Sequence, residues 1–231
     1  MSAEPAEVMS DTVHGLAYAL VRPSGRERGG VVILHGAGSC KENHLDFAHR
    51  CAATGIAAIA FDQRGHGASE GALGAAMIDD VATIAGLLPA APVFLRGSSM
   101  GGFLALAAAA RVGARAVVAI CPASAAQLAV GARSGRFDVR ADVPALETLL
   151  ADVDLDGAAR ALGPNLMLLH AEDDDLVAIE HSARLHEQAP GSRFVRVPGG
   201  DHGSVQHDPA LQDEAVRFLL TRTANAGGCV T

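Results

Sequence analysis

Apolar residues in this chain gather in short continuous runs rather than in strict alternation. Residues 31–34 (Val-Val-Ile-Leu) form the first clear run and 56–61 the second, followed by 93–95, 116–120, 166–169 and 194–197. Strands covered on both faces of a parallel sheet read this way. Helical periodicity fills the intervening stretches at 41–54, 77–88, 100–111, 178–188 and 211–221. The last is introduced by Asp208-Pro209, an N-cap residue with proline at the first helical position. Strand and helix in alternation predict right-handed crossovers with helices on both faces of the sheet, an α/β doubly wound architecture. Residues 12–22 alternate better and fit an antiparallel edge strand or hairpin.

One stretch breaks this rhythm. About 45 residues separate the run ending at Ile120 from the one starting at Leu166, far more than a crossover needs. The stretch holds Gly131, Gly135 and Pro144, with a short helix expected at 146–150. Residues 122–164 therefore read as an elaborated crossover, a small lid over the strand ends. The 231 residues suit one domain spanning 1–231, with a short tail at 223–231.

Composition narrows the functional classes. Apolar residues make up 49% of the chain, yet there are seven Phe, one Tyr and no Trp. The core must be aliphatic, which argues against an aromatic platform for sugars or nucleobases. A net charge of −8 without any basic run repels phosphate backbones, so nucleic acid is not an expected partner. The N-terminal residues lack the basic and apolar regions of a secretory signal, and no unbroken apolar stretch reaches the ~18–20 residues of a membrane span. Cys40, Cys51, Cys121 and Cys229 form no CxxC pair and read as reduced thiols of a cytoplasmic protein. Ten His occur without HExxH or similar ligand spacing, so neither a metal nor another cofactor is expected. Nothing in the chain specifies an oligomeric state.

In open α/β sheets, reactive groups collect in loops beyond the carboxyl ends of the strands. Gly97-Ser98-Ser99-Met100-Gly101 lies there, between the 93–95 strand and an Ala-rich helix. A GxSxG string alone is weak; a tight strand-to-helix turn around it is what would thrust Ser99 above the sheet as a nucleophile. A serine hydroxyl needs a base. His202, in the glycine-rich loop after the last strand, is the best candidate; His207 is a nearby alternative, while His35 and His66 suit scaffolding. The base in turn needs a carboxylate. Glu172, Asp173, Asp174 and Asp175 all crowd the loop after the 166–169 strand, and a residue such as Asp175 could instead cap the next helix. An oxyanion hole requires backbone donors: Met100 N–H, and Ala37 N–H from the loop His35-Gly36-Ala37-Gly38. That loop lacks both the GKS/T ending and the GxGxxG spacing of phosphate cradles.

Five segments, HGAGSCKEN (35–43), FDQRGHGASEG (61–71), RGSSMGG (96–102), LLHAEDDDLV (168–177) and GGDHGS (199–204), resemble the ordered motifs of α/β-hydrolase-fold serine esterases. The likeness covers residues 15 to 222 and is strongest to the small carboxylesterase, monoacylglycerol-lipase-like and dienelactone-hydrolase-like branches. It implies an acid loop of the form GxxDxxV, with Ala171 at the glycine and Val177 at the valine, which selects Asp174. It also makes 61–71 a structural loop in which Asp62 and Arg64 position neighbouring turns. Serine in place of cysteine as the nucleophile argues against dienelactone hydrolase chemistry. The expected reaction is hydrolysis of a small-molecule ester of a small or medium acyl group by water, through an acyl-enzyme on Ser99, His202 and Asp174. Thioester or amide cleavage, acyl transfer, and a non-catalytic binding role on the same fold are the alternatives.

Overall fold

The chain enters the fold as a hairpin, β1 (Val8–Val13) and β2 (Leu16–Val21), whose His14-Gly15 turn has positive φ at both residues. This geometry is from a computed structural model, which describes residues 7–88, 92–136 and 139–223. Six further strands follow: β3 (Gly29–Leu34), β4 (Ile56–Phe61), β5 (Val93–Ser98), β6 (Ala116–Ile120), β7 (Leu166–Ala171) and β8 (Arg193–Val197). Together they make one eight-stranded sheet in the order β1-β2-β4-β3-β5-β6-β7-β8. The hairpin expected near the N-terminus is present: β2 pairs antiparallel with β4, and every pairing from β4 to β8 is parallel.

Continuous apolar runs have the expected consequence. Strands β2, β3, β4, β6 and β7 are buried at every position, with helices on both faces. On one face α1 (Leu45–Ala53) and α9 (Pro209–Leu220) pack through Phe47, Cys51, Val216 and Leu219. The other face carries α2 (Met77–Ala85), α3 (Met100–Val112), α6 (Leu155–Leu162) and α7 (Ile179–Gln188), joined through Val81, Phe103, Ala159 and Leu185. Strand β8 departs from the expected double burial. It lies at the sheet edge, where Arg193 and Arg196 are exposed and Phe194, Val195 and Val197 only half-buried, the charged dressing that discourages edge pairing.

Between β6 and β7 the chain is more helical than the single short helix expected. It forms α4 (Ala125–Ser134), α5 (Val143–Asp152) and α6, each with a side-chain cap. Ser124 and Gln127 build a capping box, while Asp142 and Asp154 accept from the Ala145 and Gly157 N–H groups. The helix expected at 41–54 begins as a 3₁₀ turn, Lys41–His44, before α1. The final helix starts as expected, with Asp208 accepting from Ala210 and Leu211 N–H ahead of Pro209. A four-residue helix, α8 (Ser204–His207), precedes it. Among the described residues no helix is long and apolar enough to cross a membrane.

Candidate active site

Parallel pairing aligns the carboxyl ends of β3, β5 and β7, and the candidate residues emerge there. Ser99 sits between the last residue of β5 and the first of α3 with φ 56° and ψ −117°. A side chain beyond glycine rarely occupies that region, so the surrounding structure must hold it there. Its N–H donates to the Ile120 carbonyl at 2.9 Å, and its carbonyl accepts from Phe103 N–H at 3.0 Å and Ala123 N–H at 3.1 Å. The flanking glycines admit no substitute: a Cβ on Gly97 would overlap the Gly101 carbonyl, and one on Gly101 would overlap the Leu34 carbonyl.

The loop after β3 lies against this turn. A Cβ at Gly36 would stand 3.3 Å from Ser99 Cβ, which brings Ala37 beside the serine. His35 anchors that loop as scaffolding. Its Nε2 accepts from Gln63 N–H at 3.0 Å, its Nδ1–H donates to the Gly36 carbonyl at 2.8 Å, and Gln63 Nε2 donates to the His35 carbonyl at 2.6 Å. Burial lowers the His35 pKa to about 4, so the ring is neutral and both bonds hold at neutral pH. Asp62, fully buried, accepts from Lys41 N–H, Lys41 Nζ and Ala68 N–H, each at 2.8 Å. Arg64 grips Asp80 and the His14 and Glu70 carbonyls. Both residues thus tie turns together.

His202 Nδ1–H donates to Asp174 Oδ2 at 2.7 Å, and the Asp174 carboxyl is inaccessible to solvent. Asp174 Oδ1 accepts from Leu176 N–H at 2.9 Å and Val177 N–H at 2.8 Å. Burial pushes its pKa up, but these N–H groups and His202 outweigh burial and hold it below the usual carboxylate range. Asp175 is not a helix cap. α7 starts beyond it, after Ala178, which has no side chain able to cap. No side chain caps α7, and Asp174 ties down only the loop before it, through the Leu176 and Val177 N–H groups. His207 turns away, to Asp46 at 3.0 Å.

Two buried residues around the carboxylate were not foreseen. His170, on β7, donates through Nε2–H to the Val177 carbonyl at 2.8 Å, with Asp174 Oδ2 at 3.3 Å, and its Nδ1 accepts from Ser182 Oγ at 2.7 Å. Its only sequence signal is a polar residue inside an otherwise apolar strand, four positions before the acid. Cys121 has φ 42°, and burial raises its thiol pKa. Its Sγ, an Asp174 oxygen and a His202 nitrogen lie within 4.8 Å of one another. A thiol that keeps its proton and a carboxylate already committed to three N–H donors make a poor metal site.

Ser99 and His202 line one cavity of about 370 Å³, with Ala37, Ala123, Leu128 and Leu176 in its wall. No direct hydrogen bond joins Ser99 Oγ to the His202 ring among the described residues, a looseness common before substrate tightens a site. A smaller apolar recess, about 50 Å³, shares Ala37 and Leu128 with it and reaches Met100, Met77, Leu73 and Leu146. The structure therefore brings together Ser99, His202, Asp174, Ala37 and Met100 at one end of the sheet.

Known proteins share this fold. The family model described as serine aminopeptidase, S33, matches residues 25–153, and one described as TAP-like protein matches residues 151–230. No curated protein matches the chain significantly. Among solved structures, Est1E from Butyrivibrio proteoclasticus, with ferulic acid bound, superposes with a TM-score of 0.74 at 19% identity, covering 93% of this chain and 98% of its own. A highly thermostable carboxyl esterase from Bacillus coagulans, in complex with glycerol, gives 0.72 at 15% identity, covering 96% and 100%. An α/β serine hydrolase from Xanthomonas campestris, described as lacking a lid, gives 0.67 at 20% identity, covering 94% and 96%. These likenesses show a shared fold, and the first family model spans more than half of the chain: this protein is a hydrolase of the α/β-hydrolase fold and belongs to the serine aminopeptidase S33 family.

Proposed function

We propose that this protein hydrolyses carboxylic esters of small or medium acyl groups through an acyl-enzyme. Ser99 Oγ attacks the carbonyl carbon while His202 takes the hydroxyl proton. Because Asp174 holds His202 by Nδ1–H, the lone pair of Nε2 is left for Ser99. The tetrahedral oxyanion is held by the Met100 and Ala37 N–H groups. His202 then returns the proton to the departing alcohol, and a water molecule activated by the same imidazole releases the acid. The observation that carries this reading is the strained Ser99 sharing a cavity with an imidazole whose far nitrogen is fixed on a buried carboxylate.

The apolar recess beside Ala37 and Met100 supports an aliphatic acyl group, since the polar atoms of Gln127 in its wall are engaged by Ser124 and the Leu176 carbonyl. Helices α4 and α5, in the expected lid region 122–164, serve as a small cover over it, while α6 packs into the core. An aminopeptidase reading, suggested by the family's description, would need a carboxylate to receive the substrate's ammonium group. Among the described residues lining the Ser99 cavity there is none, and Arg136 stands in its wall instead. The cytoplasmic setting in this proposal rests on Cys40, Cys51 and Cys121 being free; Cys229 and the rest of the tail lie outside the described residues.

A fluorophosphonate probe tests the nucleophile: covalent labelling at Ser99, abolished in Ser99→Ala, is the expected result. A folded protein that never reacts, and that turns over no p-nitrophenyl ester from acetate to decanoate, would sink the proposal.

A further inference from the structure

Arg96, on β5 three residues before Ser99, is 1% exposed and among the largest fully buried side chains. Among the described residues no carboxylate pairs with it. Nη1 donates to His44 Nδ1 at 3.2 Å, Nη2 donates to the Gln206 carbonyl at 2.7 Å, and Nε is buried without a partner. The guanidinium carbon lies 4.5 Å from the centre of the Phe47 ring. Burial lowers its pKa to about 10, which still leaves it charged at neutral pH. His44 is neutral, since burial and then the Arg96 charge bring it to about 2, so its Nδ1 is free to accept.

A buried cation without a directly paired carboxylate is often no more stabilising than an apolar side chain of the same size, and Asp46 supports the Arg96 charge only from beyond ion-pair distance. Stability therefore does not account for Arg96, and its partners supply another reason. His44 ends the 3₁₀ turn that continues the Ala37 loop, and Gln206 lies in α8, four residues after His202. Gln212 Nε2 donates to the same Gln206 carbonyl at 2.9 Å and to Asp46 Oδ2 at 2.6 Å, while Asp46 also meets His207. His207 stacks on His44 with ring centres 5.9 Å apart, which closes the circuit. The loop bearing His202 is tied within itself by Asp201 and Ser204, but positive φ at Gly199 and Gly200 leaves its attachment to β8 pliable, so its place relative to Ser99 is set from outside.

We infer that Arg96 is a positioning residue that fixes the His202 and Ala37 loops relative to Ser99, by gripping Gln206 and His44 from the strand that carries the serine. The inference rests on the reading of Ser99 and His202 as the reacting pair. It is tested with Arg96→Met and Arg96→Lys, measuring turnover per probe-titrated site and backbone hydrogen exchange.

Arg96→Met is expected to melt within about 4 °C of wild type. Its kcat should fall about a hundredfold, with KM changed by less than about twofold and faster exchange at residues 203–207. Arg96→Lys keeps a donor for Gln206 and should recover about a tenfold share of the loss. Wild-type turnover in Arg96→Met, or reduced turnover with unaltered exchange at 203–207, overturns the inference. Should Arg96→Met fail to fold, Arg96→Lys decides: turnover down about tenfold with faster local exchange supports the assignment, and unchanged values for both overturn it. A wild-type chain that never takes up the probe defeats the reading of Ser99 itself, and the exchange comparison then still decides whether Arg96 holds α8.

Discussion

The turn at Ser99 and the helix α4 face each other across one cavity, yet they are built on opposite terms. Every residue of α3 from Met100 to Leu106 is buried, and the turn is locked by backbone bonds to β6 and by glycines pressed against β3. α4 buries no residue fully, and its Val130 is 61% exposed. The chemical groups stand on a frame that cannot shift, while the wall that would meet the acyl group is lightly held. Such a division lets substrate range change without disturbing the reacting geometry.

The rigid side should break first and most severely. Asp174→Asn is expected to lower kcat about 10⁴-fold by leaving His202 in the wrong tautomer, whereas Asp173→Asn and Asp175→Asn stay within about twofold. Full turnover in Asp174→Asn with loss in a neighbour would move the acid. Stability should divide in the same way. Phe103→Ala, in the fully buried face of α3, is expected to cost about 3–5 kcal/mol in chemical denaturation. Leu128→Ala, half-buried on α4, should cost less than about 1 kcal/mol; equal losses would erase the contrast.

Acid should expose the same asymmetry. His35 is held neutral by burial, with a folded pKa of about 4 against 6.5 in the unfolded chain. The unfolded state takes the proton first, so this contribution is complete above pH 6.5 and is lost as pH falls towards 4. Full loss corresponds to about 3 kcal/mol. Denaturant midpoints between pH 7 and 4 should fall accordingly, and a slope unchanged in His35→Asn would remove His35 as the cause. The smallest effect belongs to the cover. Leu146→Phe narrows the recess beside Met100 and should reduce preference for longer acyl chains by roughly fourfold per excluded methylene. Parallel losses for all chain lengths would mean that the acyl group lies elsewhere.

Much of this was legible because the informative residues act locally. An apolar run, a glycine at a crowded turn or Asp208 before Pro209 leaves its mark within a few positions. The hairpin, the central strands and the turn at Ser99 could therefore be read directly. The Ser124–Gln127 capping box and the caps at Asp142 and Asp154 were local signals too, overlooked because small residues and glycines dilute the helical pattern of α4 and α6. Choosing among four adjacent acids was different. The residues alone leave the four open, the family register selects Asp174, and in the structure it is Asp174 that meets His202, 28 residues on; the expected helix cap at Asp175 failed because α7 starts later, at Ile179, without a side-chain cap. Arg96 and His170 showed only as polar residues inside apolar strands, and their roles stayed hidden because each is defined by partners on other elements.

The backbone strain at Ser99 also carries a consequence in time. Ile120, Leu34 and Gly101, which hold the turn, belong to two strands and a helix that must all be in place before the serine can be driven into its left-handed conformation. A nascent or unfolding chain has no such serine; it has an ordinary hydroxyl in a flexible glycine-rich segment. If Ser99 is the proposed nucleophile, its reactivity is conferred by assembly, and probe labelling of Ser99 would report the completion of the sheet as well as catalysis.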